Sequence, residues 1–246
     1  MVLKLSLGYT LPSHLFNPHF WKPQAMASPC IDTFVLGDFA TNCHVVTVPG
    51  AAGDHDPADC WIVDCGFEPA PLLDHIEESG LKPRGIILTH CHSDHVAGID
   101  EAIARFGRMP ILAHPLEAMY NQTPELNLSS FVGMPIVVES PTGTLEHGDQ
   151  FDMNGVTWDV RHAPGHSPGS ICLVNMDSDV AIVGDTLFAG SIGRVDFPTS
   201  DPEAMARSLS EQLMTLPGSM TIHPGHGPTS TIGRELQDNP FLQSLG

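Results

Sequence analysis

The chain is 246 residues long, 41% hydrophobic and strongly acidic, with 29 carboxylate side chains against 10 basic ones and a net charge of −19. That balance argues against a nucleic-acid partner, which needs clustered Lys and Arg, and against an anionic membrane surface. No apolar run is long enough to cross a bilayer. The six cysteines at 30, 43, 60, 65, 91 and 172 form no C-x-x-C pair, so reduced, mostly buried thiols in a cytoplasmic protein are expected rather than a cysteine-based zinc knuckle.

Residues 1–29 carry prolines at 12, 18, 23 and 29, scattered aromatics and no regular period. They are expected to be an irregular N-terminal arm before a folded domain over 30–246. Met26 is an alternative start, because a strand pattern begins soon after it. Ile31–Leu36 and Cys43–Val48 are predicted strands on either side of a turn, and 50–59 is a loop rich in Gly, Pro and Asp. Cys60–Cys65 is a third strand. Pro69–Ser79 has helical spacing in Leu72, Leu73 and Ile76, with Gly80 just past its end. Arg84–Leu88 is a buried strand that runs directly into Thr89-His90-Cys91-His92-Ser93-Asp94-His95. A short helix over Ile99–Phe106, a strand over Pro110–Ala113, a helical turn over Pro115–Tyr120 and a long surface loop over 121–143 follow. The second half repeats the style of the first, with strands at Asp149–Met153, Val156–Arg161, Ser170–Val174 and Val180–Val183. A helix over Asp201–Leu216, a strand over Met220–Ile222 and a terminal helix over Gly233–Gln243 complete it. Two similar, strand-dominated halves favour two sheets covered by helices on both outer faces.

The motif His90-x-His92-x-Asp94-His95 places four ligand-type side chains within six positions at the end of a buried strand. Imidazole with carboxylate suits zinc, iron or manganese. Six positions cannot close two coordination shells, and three later segments offer more donors, each beside glycine. They are His166 in Pro164-Gly165-His166-Ser167-Pro168-Gly169, Asp185 in Gly184-Asp185-Thr186, and His226 in Pro224-Gly225-His226-Gly227. Taken alone each is a turn with a polar residue; with the first cluster they make seven candidate ligands. Arg194 can hold a substrate carboxylate through its forked donors, or form a structural salt bridge.

These motifs resemble the metallo-β-lactamase superfamily, and within it the glyoxalase II-like (hydroxyacylglutathione hydrolase-like) branch. The likeness rests on H-x-H-x-D-H, on Gly184-Asp185-Thr186-Leu187-Phe188 and on Gly190-Ser191-Ile192-Gly193-Arg194. It implies an αββα sandwich of two mixed sheets with the site at the sheet edges. It assigns His90, His92 and His166 to one divalent metal, Asp94, His95 and His226 to a second, and Asp185 to both, with Asp64 supporting the ligand loop. Zinc is the expected metal, with iron or manganese as alternatives. The activity implied is hydrolysis of a small-molecule thioester of the S-lactoylglutathione type by a hydroxide shared between the metals, oriented by Asp94. A thiolate leaving group, whose conjugate thiol has a pKa of about 8.5, needs no strong general acid, and the sequence offers no obvious one. Full-length glyoxalase II grips glutathione with a basic helical extension, and basic residues are scarce here, so a glutathione thiol is not implied by the likeness; Asp185 stands where β-lactamases of the superfamily would carry cysteine. Two other readings share the framework: a persulfide dioxygenase with one iron in a two-His, one-carboxylate setting, and a non-catalytic binding protein, against which the intact ligand set argues.

Overall fold

The structure, a computed structural model, describes residues 28–50 and 58–245. The arm expected over 1–29 and the loop expected over 50–59 lie almost wholly outside the described residues.

The first half contains β1 (Cys30–Leu36), β2 (Thr41–Thr47), β3 (Asp59–Val63), α1 (Ala70–Glu78), β4 (Lys82–Ile87), α2 (Ser93–Val96), α3 (Ile99–Phe106), β5 (Ile111–Ala113) and β6 (Gly143–Thr144). Its six strands make one sheet in sequence order, antiparallel from β1 to β3 and parallel from β3 to β6. The second half contains β7 (Gln150–Met153), β8 (Val156–His162), β9 (Ile171–Asn175), β10 (Val180–Gly184), β11 (Leu187–Phe188), β12 (Ser191–Ile192), α4 (Pro202–Ser208), β13 (Thr221–Pro224), β14 (Ser230–Thr231), α5 (Ile232–Asp238) and α6 (Pro240–Gln243). A second six-stranded sheet has the order β14-β13-β10-β9-β8-β7, and β11 and β12 form a separate small hairpin.

Period-two alternation divides each strand between two apolar layers. Val45, Ile62 and Ile86 face outward, against Leu72, Leu73 and Ile76 of α1 and Ile99 and Ala102 of α3. Their neighbours Val46, Val63 and Ile87 face inward, onto Trp158, Val160, Ile171, Leu173 and Ile182 of the second sheet. Cys172, Val174, Ala181 and Val183 face the other way, beneath Met205 of α4, Ile232 of α5 and Leu242 of α6. The result is the αββα sandwich: helix, sheet, sheet, helix.

Topology gathers the functional loops. Strands β8 and β10 each pair antiparallel with β9, and β13 pairs parallel with β10, so β8, β10 and β13 all run one way. Their C-terminal ends carry the His166, Asp185 and His226 loops. In the first sheet β3 and β4 are parallel, so Asp64 and the His90 loop also leave from one end.

Three sequence expectations are corrected. The terminal helix is two helices, because Pro240 cannot continue α5; Asn239 instead accepts from the Phe241 N–H and caps α6. The helix over Asp201–Leu216 is α-helical only to Ser208 and widens to a π turn over Leu209–Leu213. The segment 121–143 is not simply surface, since Asn121, Asn127 and Ser129 are fully buried. No helix among the described residues is long and apolar enough to cross a membrane.

Trp158 is the largest fully buried side chain between the sheets, and its indole Nε1 has no hydrogen-bond partner. Trp158→Ala should cost about 3–5 kcal/mol of unfolding free energy. Trp158→Phe keeps most of the ring and removes the unpaired donor, so it should cost well under half as much. Urea denaturation of both variants checks this; equal losses would mean that the indole nitrogen, not the ring volume, matters.

Candidate metal centre

Strand β4 ends at Ile87, and the chain turns through Thr89 into the histidine motif. Asp64, at the end of β3, holds that turn. Its Oδ1 accepts the Thr89 N–H at 2.8 Å, and its Oδ2 accepts the Thr89 hydroxyl at 2.7 Å and faces Nδ1 of His95 at 2.8 Å. Asp64 sits at φ +61°, in the left-handed region that a side chain other than glycine occupies at a cost. The three bonds offset that strain.

The same arrangement recurs around the site: one imidazole nitrogen is tied back and the other faces the centre. Nδ1 of His166 bonds the Arg194 carbonyl at 2.9 Å, and Nδ1 of His226 bonds the Phe39 carbonyl at 3.2 Å. An Nδ1–H donor leaves Nε2 as a lone pair, which is how protein surroundings set the tautomer of a metal-binding histidine. Nε2 of His90 and His95 and Oδ1 of Asp185 are buried with no hydrogen-bond partner, and His92 turns its Nδ1 toward His166 Nε2. Buried polar atoms in native proteins rarely stay unpaired, and three at one place are what a cation would satisfy.

Distances agree. His95 Nε2 lies 3.4 Å from Asp185 Oδ1 and 3.5 Å from Asp94 Oδ2. His226 Nε2 lies 3.2 Å from Asp94 Oδ2 and 3.5 Å from Asp185 Oδ2, and His166 Nε2 lies 3.5 Å from the same Asp185 oxygen. Most of these separations are long for hydrogen bonds. They match the edge of a coordination tetrahedron, about 3.3 Å for metal–ligand bonds of about 2.0–2.1 Å. His92 Nδ1 and His166 Nε2 are closer, at 2.9 Å. The seven residues fall into three overlapping groups able to hold a metal: His90, His92 and His166; His90, His95 and Asp185; and Asp94, His95 and His226.

The electrostatics fit the same cation. Burial, with neighbouring imidazoles, holds His90 well below its ordinary pKa and brings His92 to about 3; burial also lowers His166. All three are neutral, as ligands must be. Burial would raise Asp94 and Asp185, yet the facing His95 and His226 outweigh it, leaving Asp94 at about 2 and Asp185 well below the carboxylate range. Burial would likewise lower His95 and His226. The carboxylates around them win, taking His95 well above its ordinary value and His226 to about 9. A site that draws protons onto two largely buried imidazoles is short of positive charge, which a divalent ion supplies as it displaces them. Space is kept tight by Gly225, where a Cβ would collide with the Asp185 carboxylate.

Five of the donors, His92, Asp94, His166, Asp185 and His226, line a cleft of about 530 Å³. Arg194 is on its wall rather than beneath it. The Arg194 Nε and Nη2 donate to the two Asp196 oxygens at 2.9 and 2.8 Å, so its fork is engaged within the chain.

Comparison with known proteins gives a consistent picture. Residues 36–226 match the metallo-beta-lactamase superfamily. The hydroxyacylglutathione hydrolase GloC of Haemophilus influenzae is 32% identical over 217 residues, covering 87% of this chain and 98% of GloC. Among solved structures, the B3 metallo-beta-lactamase BLEG-1 has a TM-score of 0.79 at 32% identity, covering 87% of this chain and 99% of its own. TTHA1623, in a di-iron-bound form, has a TM-score of 0.72 at 33% identity, covering 86% of this chain and 100% of its own.

Three supporting residues are not marked by any sequence motif. Thr41 donates its hydroxyl to Asp94 Oδ2 at 3.0 Å, and Asn42 Nδ2 donates to the Pro224 and Gly227 carbonyls at 2.8 Å each, which clasps β2 of one sheet to the His226 loop of the other. Glu117 is fully buried between two ligand loops. It accepts from Cys91 N at 3.2 Å, from the Ser167 hydroxyl at 2.6 Å and from Gly169 N at 2.8 Å, while burial pushes its pKa up. Glu117→Ala would strand the buried Cys91 and Gly169 N–H groups and cost the Ser167 hydroxyl one of its two partners, and should cost about 3–5 kcal/mol, with Glu117→Gln intermediate. Urea unfolding measures both; an alanine variant within about 1 kcal/mol of the parent would show that the loops do not depend on this carboxylate.

Proposed function

The chain belongs to the metallo-β-lactamase superfamily, and from that premise we propose that it is a two-metal thioester hydrolase. His90, His92 and His166 would hold one divalent ion, Asp94, His95 and His226 a second, and the Asp185 carboxylate would be shared. Zinc suits this mixture of imidazole and carboxylate, and iron is the alternative that the di-iron form of TTHA1623 supports. Bound there, the ions would supply Lewis acidity that makes water a nucleophile near neutral pH and polarises a carbonyl.

The chain's own residues do the rest. Asp94, held by Thr41, turns a carboxylate oxygen toward the cleft and orients the attacking water. Asp64 and the Arg194 and Phe39 carbonyls fix the rings of His95, His166 and His226, so the donors lose little order on binding. The observation that carries the thioester reading is what the cleft lacks. Apart from the candidate ligands, its described lining is Phe39, Ser93, Leu128, Phe131, Val132, Phe188, Arg194, Phe197 and Pro198, none of them a proton donor suited to an amine. A thiolate departs without one. The likeness to GloC supports the same substrate class. A second reading, β-lactam cleavage, is favoured by the likeness to BLEG-1. A persulfide dioxygenase needs one iron, and the second group of donors would then have no task.

On one metal-loaded preparation, kcat/KM for an S-lactoyl-type thioester should exceed that for a β-lactam panel by orders of magnitude. Faster lactam cleavage would transfer the assignment to the second reading, and oxygen uptake with glutathione persulfide by a protein holding one iron would transfer it to the dioxygenase.

A carboxylate shared between two cations lessens their repulsion and sets their spacing, and an amide carries no charge to do so. Asp185→Asn should release both metals on dialysis and lower kcat by at least ~10²-fold. Elemental analysis beside single-substrate kinetics reads both effects. Two retained metals with near-normal turnover would remove Asp185 from the shared position.

A further inference from the structure

Above its donor floor the cleft changes character. Its walls are Phe39, Leu128, Phe131, Val132, Phe188 and Phe197. Phe131 is 65% exposed and Val132 43% exposed, both at the rim. Apolar side chains gathered in water around a cleft mark a surface that gains free energy when a ligand covers it.

Charge points the same way. Arg194 is the sole Lys or Arg in the described lining. Its fork is taken by Asp196, and its guanidinium carbon lies 4.4 Å over the Phe197 ring. No second cation is there to grip a polyanionic thiol such as a nucleotide-bearing carrier, and a chain of net charge −19 repels one from a distance. The two walls also differ. One comes from 128–132 and is wholly apolar at its lining positions; the other, from 188–198, carries the one cation. That cation is already paired with Asp196, so charge draws no group to the second wall, and the wholly apolar first wall is the one suited to an apolar acyl chain.

Resting on the thioester reading above, we infer that the cleft selects thioesters with an extended apolar acyl group and a thiol half of little negative charge, and that Phe131 and Val132 are specificity-determining residues covering the acyl chain. Each methylene so buried raises kcat/KM by up to about fourfold.

The test is an acyl series on one uncharged thiol, N-acetylcysteamine, with the metal-loaded full chain. From acetyl through butyryl to hexanoyl, kcat/KM should rise by about tenfold or more, and the hexanoyl ester should outrun S-lactoylglutathione. Phe131→Ser, at an exposed position, should lower the hexanoyl-to-acetyl ratio by about fivefold through KM. A flat series, a preference for S-lactoylglutathione, or a ratio unchanged by Phe131→Ser overturns the inference while leaving the hydrolase reading intact. A loaded protein that cleaves no thioester overturns the hydrolase reading instead. Calorimetry with inert S-ethyl and S-hexyl thioethers of the same thiol then decides the cleft's preference separately: tighter S-hexyl binding upholds it, and equal binding removes it.

Discussion

Seven metal-type donors face one another at the base of the cleft, five of them lining it and His90 and His95 lying beside them, and everything else in the fold serves to keep them there. Asp94 and Asp185 face His95, His166 and His226 across 3.2–3.5 Å, and several of the atoms involved are buried with nothing to bond. Two ionised carboxylates in a low-dielectric setting, with Asp64 behind them, are costly without positive charge nearby. That cost must be met by the fold, which holds the donors together, and by the cations the donors would bind.

The sandwich meets its share through direction. Because the strands carrying Asp64, His90, His166, Asp185 and His226 end on one side of their sheets, five separate stretches of chain deliver side chains to one place without long excursions. Backbone and carboxylate acceptors then turn the rings. Asn42 and Glu117 tie loop to loop, the first between sheets and the second between the His92 and His166 turns. The reactive atoms therefore rest on bonds that never touch a substrate.

Much of this was legible in the residues. Alternating strands and capped helices gave away the layers, and H-x-H-x-D-H with three glycine-flanked donors gave away the floor, because ligand types at such density have little other use. Glu117 was not legible, because it inverts the usual rule. Its neighbours Leu116 and Met119 are 56% and 63% exposed while the carboxylate is buried. The contacts to Cys91, Ser167 and Gly169, two of them across 50 or more residues, explain that inversion. Thr41 and Asn42 escaped for a related reason: in sequence they lie in a turn before a strand, and their partners are distant, Asp94 on α2 for the first and the His226 loop of the other sheet for the second. The walls of the cleft were hidden in segment 121–143, whose turn formers concealed a part-buried platform displaying Phe131 and Val132.

Anomalous diffraction from crystals of the metal-bound protein, at the absorption edge of the metal it carries, locates each cation among these donors. Two peaks about 3.5–4 Å apart are expected. One should lie among His90, His92 and His166, the other among Asp94, His95 and His226, with the Asp185 carboxylate between them. A fully occupied single peak, or two peaks with Asp185 bound to neither, would contradict the account.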